Sequence, residues 1–321
     1  MRPRAHDCNR TARTLRVAAV LSLATLPVCD RSSDVAPPTS HATAHDPAAT
    51  QPQTNSPRFR RIISISPDAT EMIGALGAAD RLVAVSSFCI DPPQVMKLPR
   101  IGGLFDVNLE LVLRLQPDLI VLRGDHRAVQ ELCERNRIPI YRDRTNTFDD
   151  IFQTLGDLGE LLDATDRAEQ IAAAMHERLA KIESALAPLP RPRVFVTLSR
   201  NPDTLAAVMT AGQNTFVDEI IRRAGGINVF ADASLDYPQV SPEAVLAARP
   251  DVIIECMPEV AITDALRDKV VKTWRPLAQL PAVASGRIHL LDLPHALIPS
   301  HRVVDTVAAV ARILHPEAKL D

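Results

Sequence analysis

Few residues of this 321-residue chain are of a type and in a place to carry chemistry. Three histidines, His126, His295 and His301, raise the question of a metal. A bare Zn²⁺ or Mn²⁺ site needs three or four converging His or carboxylate ligands, whereas one His suffices as the axial ligand of a haem iron or corrin cobalt. His295 is the best placed for the axial role; His126, after Asp125, and His301, at the start of the last helical run, read equally as surface residues. Arg123 and Arg200 end two strand-like runs. A facing pair of arginines would grip carboxylates or phosphates through bidentate bonds; the alternative is two solvated side chains. Phe88 and Tyr237 lie in loop-like stretches where an aromatic ring is a poor choice for a solvated tip. A large planar ligand gains most by stacking on such faces. Phe88 either does this or tucks its loop down, while Tyr237, between Asp236 and Pro238, points to the ligand.

Enzyme signatures are missing. The chain has no GxSxG, HExxH, P-loop or dinucleotide GxGxxG, and a nucleophile would have to be Cys89 or a Ser with a His and an orienting acid nearby. A carrier fits better than a catalyst. A net charge of −3 provides no basic field for nucleic acid.

The elements that must position these residues alternate strand with helix. After Pro57, "RIISIS" (61–66), "LVAVS" (82–86), "LIVL" and "IPIYR" read as strands, with helices "DATEMIGALG" (68–77), "NLELVLRLQ" and "RAVQELCERN" between them. Apolar strands separated by amphipathic helices predict a parallel sheet covered on both faces. Residues 164–187 then lack Gly and Pro and carry the stripe Ile171, Met175, Leu179, Ile182, Leu186, which predicts one continuous helix stopped by "PLPRP" (188–192). The alternation restarts at "VFVTLS" (194–199) and ends on "HRVVDTVAAVARIL".

The restart is a repetition. "ELVLRLQPDLIVL" (110–122) is echoed by "EAVLAARPDVIIE" (243–255), and Glu71, Ile73 and Gly77 return as Glu219, Ile221 and Gly225. Two related α/β lobes, 58–163 and 188–321, joined by the helix 164–187, are therefore expected. Ligands of such lobes bind outside the carboxyl ends of the strands. The cleft should be lined by 66–68, 88–91, 102–105 and 123–126 from the first lobe, and by 200–201, 236–238 and 294–301 from the second.

The N-terminus has another purpose. Five arginines up to Arg16 precede the apolar run 17–28, too short to span a bilayer as a helix, which reads as a signal peptide over 1–28. Cys29 directly after it resembles a lipobox cysteine, although Val28 sits where lipoboxes usually have a small residue. Residues 30–57 hold one Val and no larger aliphatic or aromatic residue, as a disordered tether (29–57 with the cysteine) would. Cleavage without lipidation is the alternative. Of the remaining cysteines, Cys89, Cys133 and Cys256, none forms a CxxC, and Cys133 and Cys256 sit in core patterns.

"RIISISPDATEMIGALGAADRLVAVS", "LPRIGGLFDVNLELVLRLQPDLIVL", "AGQNTFVDEIIRRAGGINVF", "YPQVSPEAVLAARPDVII" and "GRIHLLD" stand in an order that resembles the helical-backbone (class III) substrate-binding proteins of ABC importers. "SSFCIDPP" and "YPQVS" make the cobalamin-binding branch the most similar. The resemblance implies a doubly lobed Rossmann-like fold with a backbone helix, and a protein without catalytic residues. It would work as a monomer, outside the cytoplasmic membrane, in the periplasm or at the cell surface. The implied ligand is cobalamin or another corrinoid, with haem or an Fe(III)-siderophore as alternatives; a ligand sensor is the rival to transport. Phe88 and Tyr237 match positions where cobalamin receptors place aromatics, and Leu104 and Arg123 stand where that pattern has aromatics but this chain does not. Glu110 and Glu243 match the glutamates that dock onto the permease dimer with its ATP-binding subunits. An acid in the first turn of a helix is also stabilised by the macrodipole, which gives both an alternative role.

Overall fold

A computed structural model describes residues 58–103, 106–201, 203–257 and 262–320. The signal, the tether and Cys29 lie outside them, as does Leu104. Within the first lobe run β1 (Ile62–Ser64), α1 (Pro67–Ala75), β2 (Leu82–Val85), α2 (Leu109–Arg114), β3 (Leu119–Arg123), α3 (Arg127–Asn136), β4 (Ile140–Asp143) and α4 (Phe148–Leu161). Strands β1, β2 and β3 are mainly apolar and almost wholly buried, as strands covered on both faces must be. The four pair in parallel in the order β2-β1-β3-β4.

After the connecting helix α5 (Thr165–Leu186), the second lobe adds β5 (Arg193–Thr197), β6 (Val208–Met209), α6 (Phe216–Arg223), β7 (Ile227–Asn228), β8 (Gln239–Val240), α7 (Pro242–Ala248) and β9 (Val252–Cys256). It closes with α8 (Asp264–Trp274), α9 (Pro281–Ala284), β10 (Ile288–Leu291) and α10 (Val303–Leu314). Its main sheet is parallel in the order β10-β9-β5-β7. The repeated line of sequence is the same helix and strand in both lobes: α2 and β3, then α7 and β9. In each lobe that strand lies beside the lobe's first strand, β1 or β5. An antiparallel ribbon β6–β8 is an addition of the second lobe.

Two features of the fold have no clear signal in the sequence. The ribbon strands are two residues each, too short for any periodicity to register. Helix α4 is fourteen residues long, but Gly156 and Gly159 depress its helix propensity. A capping box offsets this: Thr147 and Asp150 satisfy each other's backbone amides. Gly159 itself is required by packing, since a Cβ there would lie 2.6 Å from the Ala168 Cβ on α5.

Helix α5, about 33 Å long at about 1.5 Å per residue, buries Met175, Leu179, Ile182 and Leu186 on one face. Those side chains join a single core with Met72 and Ile73 of α1, Leu155 and Leu158 of α4, Ile220 and Ile221 of α6, and Val307 and Leu314 of α10. The residues 58–320 lie in one compact unit. The lobes therefore share an apolar seam, and each keeps a smaller core of its own on the far side of its sheet. Full burial of one such side chain is worth about 1.5–3 kcal/mol.

Polar bonds cross the same seam. Glu71 of α1 accepts from the Ser300 hydroxyl and lies 3.5 Å from Arg302, at the entry to α10. Arg302 also pairs with Asp91. In the reverse direction Glu219 of α6 accepts from the Phe148 amide, the first residue of α4, at 3.0 Å.

Candidate functional site

The carboxyl ends of β1, β2 and β3 open into a cavity of about 580 Å³ lined by Ile65 to Asp68, Phe88, Gly103, Asp106, Arg123, Gly124 and His126. Phe88 is 56 % exposed, so it does not tuck its loop down. Cys89 does so instead, with its buried thiol bonded to the hydroxyls of Thr70 and Ser86, both at 3.1 Å. With the neighbouring side chain as anchor, the Phe88 ring is presented to the cavity. Burial raises the Cys89 pKa, which leaves it a poor nucleophile. Gly103 is needed beside Phe88, because a Cβ would sit 3.1 Å from the ring and 3.0 Å from the Asp106 carboxylate. Asp106 accepts from the Gly103 amide at 2.7 Å and closes this turn.

Arg123, at the end of β3, is held rather than free to swing. Its Nη1 lies 3.8 Å from Asp68, and its Nη2 donates to Asn146 at 3.4 Å. Asp68 is 2 % exposed and accepts from the Thr145 hydroxyl at 2.7 Å. Behind it Asp143 accepts from Ser66 at 3.2 Å, while its second carboxyl oxygen has no hydrogen-bond partner among the described residues. Burial first, and then the negative charge of Asp68, raise the Asp143 pKa.

Tyr237, on a loop of the second lobe, is 37 % exposed; burial raises its phenol's pKa, and the Arg123 charge opposes the rise. Leu235, 64 % exposed, belongs to the same loop. The loop is tied to the body by the Gly212 amide on the Asp236 carbonyl and the Thr210 amide on the Pro238 carbonyl. Phe88 and Arg123 are therefore brought together in one cavity.

Two expected ligand groups are not. Arg200 turns inward: its side chain is 2 % exposed and its Nε donates to both oxygens of Glu255, at 2.9 and 3.0 Å. It does not face Arg123 across an open cleft, because a buried Glu255 demands a cation. His295 is buried in the seam, where its Nδ1 accepts from Arg302 at 2.7 Å and its Nε2 faces Asp305 at 3.7 Å. Burial and then Arg302 lower its pKa. It sits in a structural network with His301, whose pKa burial lowers to about 4. The imidazole that lines the cavity is His126, mostly buried and with no hydrogen-bond partner among the described residues. Among the described residues, no group of three or more His, Cys, Asp or Glu side chains gathers to hold a bare metal ion.

Glu110 and Glu243 both occupy the second position of their helices, exposed, behind Asn108 and Ser241 caps. A further concavity of about 650 Å³ lies elsewhere on the second lobe, around Arg191, Asp251, Arg287 and His315. Its arginines are engaged on backbone carbonyls, Arg191 with Gly226 and Arg287 with Leu314, so it is a helix-capping region. Asp143 carries no sequence signal, because Ser66 and Asp68, 77 and 75 residues before it, meet it only in space, while Asp106 closes a local turn onto Gly103.

Comparison with known proteins agrees with this layout. The model of the periplasmic binding protein family matches residues 62–293. The vitamin B12-binding protein of Vibrio cholerae serotype O1 is 32% identical over 256 residues, 79% of this chain and 88% of the relative. Among solved structures, the periplasmic vitamin B12 binding protein of Vibrio cholerae superposes with a TM-score of 0.68 at 30% identity, covering 80% of this chain and 97% of that one. A periplasmic heme binding protein from Pseudomonas aeruginosa gives 0.70 at 26%, covering 81% and 94%. The chain belongs to the periplasmic binding protein family, the non-catalytic substrate-binding components of ABC import.

Proposed function

We propose that the chain captures a metallated macrocycle in the cleft between its lobes, with cobalamin or a related corrinoid as the first choice, and delivers it to an ABC permease. The observation that carries this reading is the exposed Phe88 ring at the cavity of the first lobe, matched by an exposed ring and aliphatic side chain, Tyr237 and Leu235, on a loop of the second. Exposed rings and aliphatics on loops of this kind suit a flat apolar ligand, which stacks on them at little entropic cost. The relatives that bind vitamin B12 support the choice. Lobes 58–163 and 188–321 would act as the two walls and helix 164–187 as the strut that spaces them. Lipid anchoring at Cys29, after cleavage of the signal 1–28, would keep the receptor near the membrane on the tether 29–57.

Haem is the second reading, favoured by the Pseudomonas relative and by an unpartnered His126 in the cavity. Calorimetric titration of the purified protein with cobalamin, haemin and a panel of ferric siderophores decides between them. Cobalamin should bind with a dissociation constant below micromolar, and Tyr237→Ala should weaken it by about 1–3 kcal/mol. Tight binding of another ligand with none of cobalamin would refute the first choice.

A further inference from the structure

The cavity offers one guanidinium to a ligand, and that guanidinium is already answered. Arg123 lies 3.8 Å from the Asp68 carboxylate. Asp68 cannot swing away, since it is 2 % exposed, starts a helix, and takes the Thr145 hydroxyl at 2.7 Å. It occupies the positive end of α1, the place where an incoming anion would otherwise be welcomed. Asp106 adds a second carboxylate to the same lining.

We propose that Asp68 is a specificity-determining residue: by engaging Arg123 and the α1 N-terminus, it makes the cavity accept ligands rimmed with neutral amides and reject those rimmed with free carboxylates. This rests on the reading of the cleft as a macrocycle site and narrows it to an amide-bearing class. An amide donates to Asp68 or Asp106 and accepts from Arg123 with no charge to compensate. A carboxylate meets two like charges and a cation whose field Asp68 has cancelled. Asp143, just behind, has its pKa raised by burial first and then by the Asp68 charge, so the negative charge of Asp68 acts beyond its own contacts.

The test uses two corrinoids with one ring: cobinamide, whose side chains are amides, and cobyrinic acid, whose side chains are free carboxylates. At pH 7 the purified protein should bind cobinamide at least about tenfold more tightly, the scale set by one unopposed carboxylate at close range in a partly solvated site. Asp68→Asn keeps an acceptor for Thr145 and releases Arg123. It should tighten cobyrinic acid about tenfold relative to cobinamide. Asp106→Asn, which retains the acceptor for Gly103, should move the ratio in the same direction and serves if Asp68→Asn fails to fold by circular dichroism. Equal binding of both corrinoids by the wild type, or a ratio unchanged in the folded variants, overturns this inference and leaves the macrocycle reading standing. Binding of neither corrinoid overturns this inference together with the choice of a corrinoid as the ligand.

Discussion

Glu255 is the most exacting place to test the structure. Its carboxylate, 1 % exposed, accepts both bonds from the Arg200 Nε, one from the Trp274 indole at 2.6 Å and one from the Thr197 hydroxyl at 2.8 Å. Glu255→Ala takes the buried carboxylate from all three donors at once. Breaking one side of a buried ion pair costs about 3–5 kcal/mol, and a stranded buried donor about 1–3 kcal/mol. These contributions are not additive, so the expected loss is about 4 kcal/mol, a large share of the roughly 5–15 kcal/mol that holds a protein folded. With a urea m-value of about 3 kcal/mol per M for a chain of this size, the midpoint should fall by about 1.3 M. Trp274 is the chain's only tryptophan and is fully buried, so its fluorescence reports unfolding at the site of the change. Glu255→Gln, which keeps an acceptor but not the charge, should lose about half as much. The double variant Arg200→Met, Glu255→Leu should lose less than the sum of its singles, because it removes the charges together. A loss below about 1 kcal/mol in Glu255→Ala would refute the claim that this pair is a structural pin and reopen Arg200 as a ligand group.

Burial pushes the Glu71 pKa up to about 7, above its ordinary 4.5. The folded state therefore holds this proton more tightly than the unfolded state, and stability declines as pH rises from about 4.5 to about 7, by up to about 3 kcal/mol. Glu71→Gln should flatten that decline in urea titrations taken across the window; an unchanged slope would show that the carboxyl is ionised throughout. His301 works in the opposite sense, losing stability as pH falls from 6.5 towards about 4, so the comparison must be variant against wild type. Glu110 and Glu243, at matched helix starts, are proposed to dock on basic groups of the permease. Exchanging both for Arg should leave ligand affinity and melting temperature within error while abolishing uptake and permease-stimulated ATP hydrolysis, and transport at the wild-type rate would reduce them to companions of the caps.

Much of the architecture is legible because it is written in patterns with a fixed period. The run 127–136 predicts a helix with the bounds that α3 shows. The stripe from Met175 to Leu186 is the buried face of α5, and the repeated line marks two lobes built on a shared unit. The loops after the first lobe's strands are also legible, and Phe88 and Arg123, which they offer, line one cavity. What stays hidden is the direction in which a polar side chain turns. Arg123 and Arg200 look alike in sequence, each ending a strand-like run. One stays part-exposed because its acid, Asp68, sits at the cavity edge; the other is buried because Glu255 lies on the neighbouring strand, and no spacing rule relates 200 to 255. His295 is the same kind of case, its partner Arg302 being seven residues on, across a turn.

The weaker echo, Glu71 with Glu219, shows how a duplication becomes an interface. Each glutamate reaches out of its own lobe. Glu71 meets the entry of α10, the last helix of the second lobe, and Glu219 meets the first amide of α4, the last helix of the first. When two copies of one unit pack face to face, residue i of each meets residue j of the other, as in a twofold dimer, and here both halves lie on one chain. Glu219 takes the first amide of α4, an unsatisfied donor of a helix N-terminus, and Glu71 takes the Ser300 hydroxyl just before α10. The two bonds accompany the shared core of α1, α4, α5, α6 and α10. A swing of one lobe against the other would have to part both bonds and open that core to water, whereas the loops at the cleft can adjust one by one. The packing therefore holds the lobes at a nearly fixed spacing and leaves adjustment to the side chains on short loops.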